Sequence, residues 1–346
     1  MHLNKAVIPH YRSERIPIEK LKYRVALNEN YLREKPDWYE IEGKLQYFKI
    51  RSDFRLFTEQ FFSMFGREVM ELDTLDYRVA YVRTINPVIK KSQEITQCGL
   101  LSDNFQTLDN NYYLVSELLN SLISDFKMYG GYTLENLLAF FRDYLDEKDY
   151  KANELFLIKL FIADAITHQE DRNHNNICYK IPKIEGIPYT RRLHPEIIKK
   201  YPNASGHYVM KPDGGILLKG LTPAKVYDNE RIFGTDHKNV FTYHPGQVWR
   251  PLFPYSKHTL FKSPEEAAKA QREYDGLDPN LFELYINHQD VCRPIFERLV
   301  YDSEYRRILE RFKGETSQIC LSDKSAERIT QIFEDKQMVL ARILKY

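Results

Sequence analysis

The stretch LFIADAITHQEDRNHNNICY, residues 160–179, decides the fold because an apolar segment runs directly into a loop rich in Asp and Asn. The apolar segment shows helical periodicity over residues 151–168. The DRNHNN run at 171–176 indicates a loop, since Asn and Asp are common turn residues. We therefore predict a buried helix, central in the second half of the molecule, that leads straight into an exposed polar loop.

Three side chains in and after this loop predict a chemical site. Asp171 is followed five residues later by Asn176, and a second acid, Asp228, ends the strand-like run Val226-Tyr227. This order is typical of phosphotransferases, in which the first Asp handles the acceptor hydroxyl while the Asn and the later Asp hold Mg²⁺ against the ATP phosphates. The alternative is a solvated turn. The preceding apolar helix and the second Asp favour the site.

Composition narrows the class of protein. The chain has 346 residues, enough for two lobes, and 43% of them are hydrophobic, as in a folded globular protein. Its 50 basic and 49 acidic residues give a net charge of +1, which provides no electrostatic case for nucleic acid as the main ligand. Four scattered Cys residues form no CxxC pair, so neither a zinc site nor a disulfide framework is expected.

The N-terminal residues and the longest apolar run predict where the protein is located. The first fifteen residues contain no apolar core of a signal peptide, and the longest apolar run, 155–166, is interrupted by Lys159 and Asp164. We therefore expect a cytoplasmic protein without a transmembrane segment, although export without a cleavable signal is compatible with the sequence.

The first hundred residues are predicted to form a nucleotide-binding lobe of strands with one helix. Alternation predicts a hairpin within 21–50, with strands at 39–41 and 45–50. A Phe-rich helix follows at 53–71, with Asp53 as a candidate N-cap, and a strand at 77–84 leads to a further strand ending near 95. A polar patch, Cys98–Asn111, is expected at the lobe boundary.

Residues 101–346 are predicted to form a larger helical lobe. Helices are expected at 112–126 and 133–145, before the helix at 151–168. A hairpin turning at 213–215 is expected near the second Asp, and the chain is predicted to be helical from Pro264 to its end. In this scheme the catalytic loop spans 168–178 and the metal-binding segment spans 226–230.

The sequence resembles the HipA-like serine/threonine kinases of bacteria, including the small CtkA-type members. The resemblance is carried by residues 160–179, quoted above, and by LTPAKVYDNERIFG at 221–234. Weaker support comes from YFKI at 47–50 followed by FTEQFF at 57–62. It implies an α+β, bilobal, protein-kinase-like fold with a small β-rich N-terminal lobe and a larger, mostly helical C-terminal lobe. It also implies ATP and Mg²⁺ as cofactors.

Roles for individual residues follow from that resemblance. Asp171 would be the catalytic Asp, and Asn176 and Asp228 the Mg²⁺ ligands. Lys49 would bridge the α- and β-phosphates, and Glu59 on the Phe-rich helix would hold Lys49 in place. Glu68 on the same helix is the rival for that pairing. In addition, Asp164 lies on an apolar helix and needs partners, so we expect it to hydrogen-bond the catalytic-loop backbone.

The sequence departs from the family at several points. Asn173 stands where His is usual, with His174 displaced by one, and Asn229-Glu230 follows the magnesium Asp in place of Phe-Gly. The 51 residues between Asn176 and Asp228 imply an insertion. No GAxxK-like phosphate loop is visible, and residues 25–30 stand where one is expected. A His168/His174 metal pair is disfavoured because no third ligand stands at a suitable spacing.

Three functional classes remain open at this stage. The first is an ATP/Mg²⁺-dependent protein Ser/Thr kinase. The second is a phosphoinositide or small-molecule kinase, because DRNHNNI at 171–177 also looks like the DRHxxNI loop of phosphoinositide kinases. The third is a catalytically weak kinase-like toxin or binding module. The acceptor is accordingly a protein or a lipid, and the sequence names no partner protein.

Overall fold

The structure is a computed structural model that describes residues 37–41, 44–50, 53–85, 94–107, 109–122, 132–182, 208–210, 216–229, 231–234, 247, 249–313 and 321–346. The predicted phosphate-loop stretch at 25–30 and the predicted strand residues before 37 lie outside these ranges. No helix in the described ranges is both long and apolar enough to cross a lipid bilayer.

A four-stranded antiparallel sheet and one helix form the first part of the described chain, which we call the sheet lobe. The strands are β1 (Asp37–Ile41), β2 (Lys44–Ile50), β3 (Tyr77–Ile85) and β4 (Glu94–Asp103), in the order β1-β2-β4-β3. Helix α1 spans Asp53–Glu68. The predicted hairpin and Phe-rich helix are confirmed, with the helix ending three residues before the predicted position 71.

The strand β4 differs from the prediction in position. It begins at Glu94, where the predicted strand was to end, and runs to Asp103. It therefore crosses the predicted boundary between residues 100 and 101. The irregular residues 104–107 follow it, inside the predicted polar patch. The exact domain boundary stays a prediction.

The second part, which we call the helical lobe, begins with a strand where a helix was predicted. Strand β5 (Asn110–Leu114) precedes helix α2 (Val115–Leu122), so the prediction of helix from 112 was wrong for its first three residues. The reason is pairing: Tyr112 and Tyr113 lie opposite Lys180 and Tyr179 of strand β6 (Cys178–Pro182). Strand order β5-β6-β9, with β9 at Thr222–Pro223, completes this small sheet.

Helices α3 (Leu134–Tyr144) and α4 (Glu147–Ile166) confirm the two helices predicted next. Thr133 and Asp146 cap them by accepting hydrogen bonds from the backbone amides of Asn136 and Asp149. The C-terminal half of α4 is buried on all sides, as expected of a helix at the centre of a lobe. The predicted catalytic loop, residues 168–178, leaves its C-terminal end.

The rest of the helical lobe follows the predicted pattern. Strands β7 (Tyr208–Met210) and β8 (Ile216–Leu218) pair antiparallel, as the predicted hairpin requires. From Pro264 onward the described chain is mostly helical, which is confirmed by α5 (Pro264–Glu273), α6 (Pro279–Asn287), α7 (Gln289–Tyr301), α8 (Glu304–Glu310) and α9 (Asp323–Ile343). The predicted α+β class, with a small β-rich lobe before a mostly helical one, is confirmed.

Helix α1 is packed against both lobes. Its Phe57 and Phe61 form edge-on contacts with Phe312 and Phe333 of the helical lobe, at ring-centroid distances of 4.9 and 5.9 Å. At the end of the helix, Glu68 pairs with Arg307 and Arg311 of that lobe. Buried aromatic pairs of this kind fix relative orientation as well as adding stability. These contacts fix the position of α1 relative to the helical lobe.

Candidate active site

Lys49 projects from β2 into the space between the sheet and α1. Its backbone lies opposite Leu100 of β4, and the next pair along is Ile50 with Gly99. A Cβ atom at Gly99 would lie only 2.5 Å from the Lys49 carbonyl oxygen and 2.6 Å from the Phe48 ring. The two strands therefore pack so closely here that only glycine fits. The close pairing fixes the base of the Lys49 side chain on a rigid strand.

Glu59 of α1 is the partner of the Lys49 ammonium group. Its carboxylate is fully buried and forms an ion pair with Lys49 through one oxygen. The other oxygen accepts a hydrogen bond of 2.8 Å from the Asn229 backbone N–H. Burial raises the pKa of Glu59, and the positive charge of Lys49 opposes that shift. The rival residue, Glu68, faces arginines of the helical lobe instead.

Asp228 completes this charged group from the other lobe. Its Oδ1 lies 2.6 Å from the Lys49 Nζ, and its side chain is 36% exposed. Asp228 has a left-handed backbone, with φ of 59°. Such a conformation is unfavourable for a residue other than glycine, although Asp tolerates it better than most. The position is maintained because Val226, two residues earlier, pairs with the sheet-lobe segment at Thr74.

The catalytic loop holds Asp171 and Asn176 together. The Asn176 Nδ2 donates to the Asp171 carbonyl oxygen over 3.2 Å, which closes the loop. Within the described part of the chain, no hydrogen bond is made by the Asn176 side-chain oxygen. The Asp171 carboxylate is half-buried and lies 3.4 Å from the Nε of Arg231. The Asp171 backbone N–H donates to the side-chain oxygen of Gln169 over 3.2 Å.

The catalytic loop and the segment around Asp228 lie side by side. Tyr227 donates from its hydroxyl to the Asn175 carbonyl oxygen over 3.3 Å, which places the residues preceding Asp228 and Asn176 in contact. Arg172 bridges the same two segments from the buried side, because it donates to the Tyr227 carbonyl oxygen over 2.9 Å. The structure therefore links all five predicted site residues through short chains of contacts.

Asp164 has a different partner from the one predicted. Its carboxylate oxygens accept hydrogen bonds of 2.9 and 3.0 Å from the side chain of Arg172, whereas the prediction placed it against the loop backbone. Both groups are buried, and a buried carboxylate is best satisfied by the paired donors of a guanidinium. Burial raises the pKa of Asp164, and Arg172 opposes that shift.

Two further residues of the site were missed by sequence reasoning. Arg172 stood in the quoted motif without an assigned role, although its place directly after Asp171 could have drawn attention to it. Trp249 gave no signal, because it is distant in sequence. Its indole N–H donates to the Gln169 carbonyl oxygen over 2.7 Å, and its backbone N–H donates to Asp278. Trp249 therefore anchors the start of the catalytic loop to the helical core.

The two histidines near the loop lie in separate surroundings. His168 is buried, with its Nε2 3.1 Å from Glu170, and burial lowers its pKa. His174 stacks on Tyr132 with ring centroids 3.8 Å apart. No group of three or more His, Cys, Asp or Glu side chains that could hold a metal ion occurs in the described ranges.

A cleft opens beside Lys49 and Asp228, with a volume of about 230 Å³. Its walls come from both lobes and from the irregular residues that connect them. Aromatic rings and polar side chains both contribute: Tyr47, Tyr77, Ser102, Asp103, Asn104, Phe105, Gln106 and Tyr227. A mainly apolar cleft with a few charged groups at one end is a usual small-molecule site.

Comparison with known proteins gives similarity of structure only. No family model matches the chain, and no curated protein matches it in sequence. The chain is similar to a solved structure of the proinflammatory kinase CtkA of Helicobacter pylori, with 11% identity and a TM-score of 0.46, covering 92% of this chain and 94% of that one. It is also similar to HipA in the HipA–HipB–operator DNA complex of Shewanella oneidensis MR-1, with 10% identity and a TM-score of 0.42, covering 95% and 67%. At these values neither protein's activity can be transferred to this chain.

Proposed function

We propose that this protein is an ATP- and Mg²⁺-dependent phosphotransferase that acts on an alcohol group, and that the acceptor is a serine or threonine of a protein. The observation that carries the proposal is the meeting of Lys49, Glu59 and Asp228 at one end of a cleft. A partly buried cluster of two carboxylates and one ammonium stabilises a fold less well than apolar packing does. Such a cluster in a cleft therefore indicates a functional site.

The residues fit the groups that this activity requires. The Asn176 side-chain oxygen has no hydrogen bond in the described chain, and the Asp228 carboxylate is partly exposed at the cleft. An amide oxygen and a carboxylate are suitable ligands for Mg²⁺, so these two would hold it. The bound ion would supply charge neutralisation at the ATP phosphates.

Each remaining side chain has a role that its position supports. Lys49, fixed by Glu59, would present a positive charge to the phosphates at the inner end of the cleft. The Asp171 carboxylate would accept a hydrogen bond from the acceptor hydroxyl and take its proton as transfer proceeds. Arg231, 3.4 Å from Asp171, would have to yield that contact to the acceptor. Most of the rate enhancement would come from positioning, because phosphoryl transfer needs little covalent chemistry from the protein.

The proposal is tested by incubating the full chain with γ-labelled ATP and either of two acceptors, a protein mixture or phosphoinositide vesicles. A third sample without added acceptor is the control. We expect label in serine or threonine of proteins, and no label with Asp171→Asn. Label in lipid alone would replace the protein acceptor by a phosphoinositide. Absence of both transfer and Mg·ATP binding would contradict the phosphotransferase assignment, and binding without transfer would indicate a catalytically weak binding module.

Asp228→Ala should weaken Mg·ATP binding more than Asp171→Ala does. The reason is that Asp228 supplies the carboxylate proposed to hold the metal, whereas Asp171 faces the acceptor. Calorimetric titration of both variants with Mg·ATP measures the difference. Because alanine is disfavoured at φ of 59°, Asp228→Asn serves as the matched variant that tolerates this backbone. Equal affinities of the Asp228 and Asp171 variants would show that the metal is held elsewhere.

A further inference from the structure

Arg172 donates four hydrogen bonds at the contact between the catalytic loop and the segment around Asp228. It is 2% exposed, and its guanidinium stacks over the Phe62 ring at 5.4 Å. Its Nε and Nη2 donate to the two oxygens of Asp164 on α4. The Asp164 pair fixes the plane of the guanidinium, because a two-point contact between planar groups restricts rotation.

The other donors of Arg172 are directed at the two neighbours of Asp228. The Nη1 donates to the Tyr227 carbonyl oxygen over 2.9 Å, and Nη2 donates to the Asn229 Oδ1 over 2.5 Å. The Asn229 backbone N–H is held in turn by Glu59 over 2.8 Å. Asp228, with its left-handed backbone, is thus fixed on both sides by contacts that its own side chain does not make.

We propose that Arg172 is a positioning residue that holds the Asp228 carboxylate in the orientation required for binding the divalent cation. The inference rests on the proposed function, since it names how one metal ligand of that site is held. The argument is that a left-handed Asp persists only where surrounding contacts over-determine it. Here the contacts at both neighbours of Asp228 include the same buried guanidinium, which is anchored to Asp164 on the buried half of α4.

Lysine cannot replace this arrangement. Its ammonium is a single point on a flexible chain and cannot donate to Asp164, Tyr227 and Asn229 in their fixed directions. Arg172→Lys keeps the positive charge beside Asp164, so the buried carboxylate is not left without a cation. The substitution therefore separates geometry from charge, which removal of the side chain would not do.

The test measures cation binding directly. Mn²⁺ is titrated by electron paramagnetic resonance into the full chain with a non-hydrolysable ATP analogue, for wild type, Arg172→Lys and the control Arg298→Lys. Arg298 is an exposed arginine that pairs with Glu71, away from the cleft. We expect Arg172→Lys to weaken Mn²⁺ binding by about tenfold or more, the usual effect of removing a group that orients a metal ligand. Arg298→Lys should match the wild type.

A second variant covers the case in which Arg172→Lys fails to fold. Asn229→Ala removes one of the two contacts beside Asp228 and leaves the Arg172–Asp164 pair intact, so we expect Mn²⁺ binding weaker by about fivefold. Wild-type Mn²⁺ affinity in a folded Arg172→Lys, or in Asn229→Ala when the first variant is unfolded, would overturn the role of Arg172. Failure of the wild type to bind Mn²⁺ with the nucleotide would instead overturn the proposed function, and the inference with it.

Discussion

Asp171→Ala should lower the rate of phosphoryl transfer by about 10²–10⁴-fold and leave ATP binding nearly intact. The loss follows because the carboxylate that takes the acceptor proton is removed. ATP binding should be spared because Asp171 is not among the residues that line the cleft. Single-turnover transfer from labelled ATP gives the rate, and calorimetry gives the affinity.

Asp171→Asn is the matched variant for this experiment. It retains the size of the side chain and its reach toward Arg231 but cannot accept a proton at neutral pH. We expect a loss of rate close to that of Asp171→Ala. If the asparagine variant retained the wild-type rate, Asp171 would act by shape or hydrogen bonding alone. Wild-type turnover by purified Asp171→Ala would remove Asp171 from the active site altogether.

The sequence was most informative where a residue's role depends on local order. A strand followed at once by a helix predicts that Lys49 and Glu59 can meet, because both lie within one short unit, and the structure places them in contact. The loop contact between Asp171 and Asn176 is similarly local. The catalytic roles of these residues stay a prediction. Both contacts show that short-range sequence patterns can predict which side chains meet.

What the sequence could not predict depends on contacts between distant segments. Residues 112–114 fit the helical periodicity predicted over 112–126. They nevertheless form a strand, because they pair with β6. Arg172 contacts Tyr227 and Asn229, and Trp249 contacts Gln169, through packing that no local pattern records. A sequence identifies residues able to act chemically more readily than it identifies those that hold them in place.

Lys49→Ala should lower kcat/KM for ATP by about 10²–10³-fold, the usual cost of losing one fixed electrostatic contact to a reacting group. Lys49 forms ion pairs with both Glu59 and Asp228 at the inner end of the cleft. Its removal leaves those carboxylates close together without their shared cation. Removing one member of a buried ion pair costs about 3–5 kcal/mol, so thermal unfolding of the variant must be measured alongside its kinetics.

Glu59→Gln should have a milder effect, because Lys49 remains but loses the charge that positions it. We expect a loss in kcat/KM of up to about 10²-fold, as for other small misplacements of a catalytic group. Glu68→Gln is the matched control, since Glu68 is on the same helix and pairs with exposed arginines. That substitution should change the free energy of unfolding by no more than about 0.5–1 kcal/mol and leave kinetics unchanged.

The double variant Lys49→Ala/Glu59→Gln decides whether the two side chains act as one unit. Among the described residues, the Glu59 carboxylate bonds to Lys49 and to the Asn229 N–H, and glutamine retains an oxygen acceptor for that N–H. Once Lys49 is absent, the change at Glu59 should therefore add little further loss. Fully additive losses in ln(kcat/KM) would show that Glu59 acts independently of Lys49, and its buried carboxylate would then have to serve Asn229 and the Asp228 segment alone.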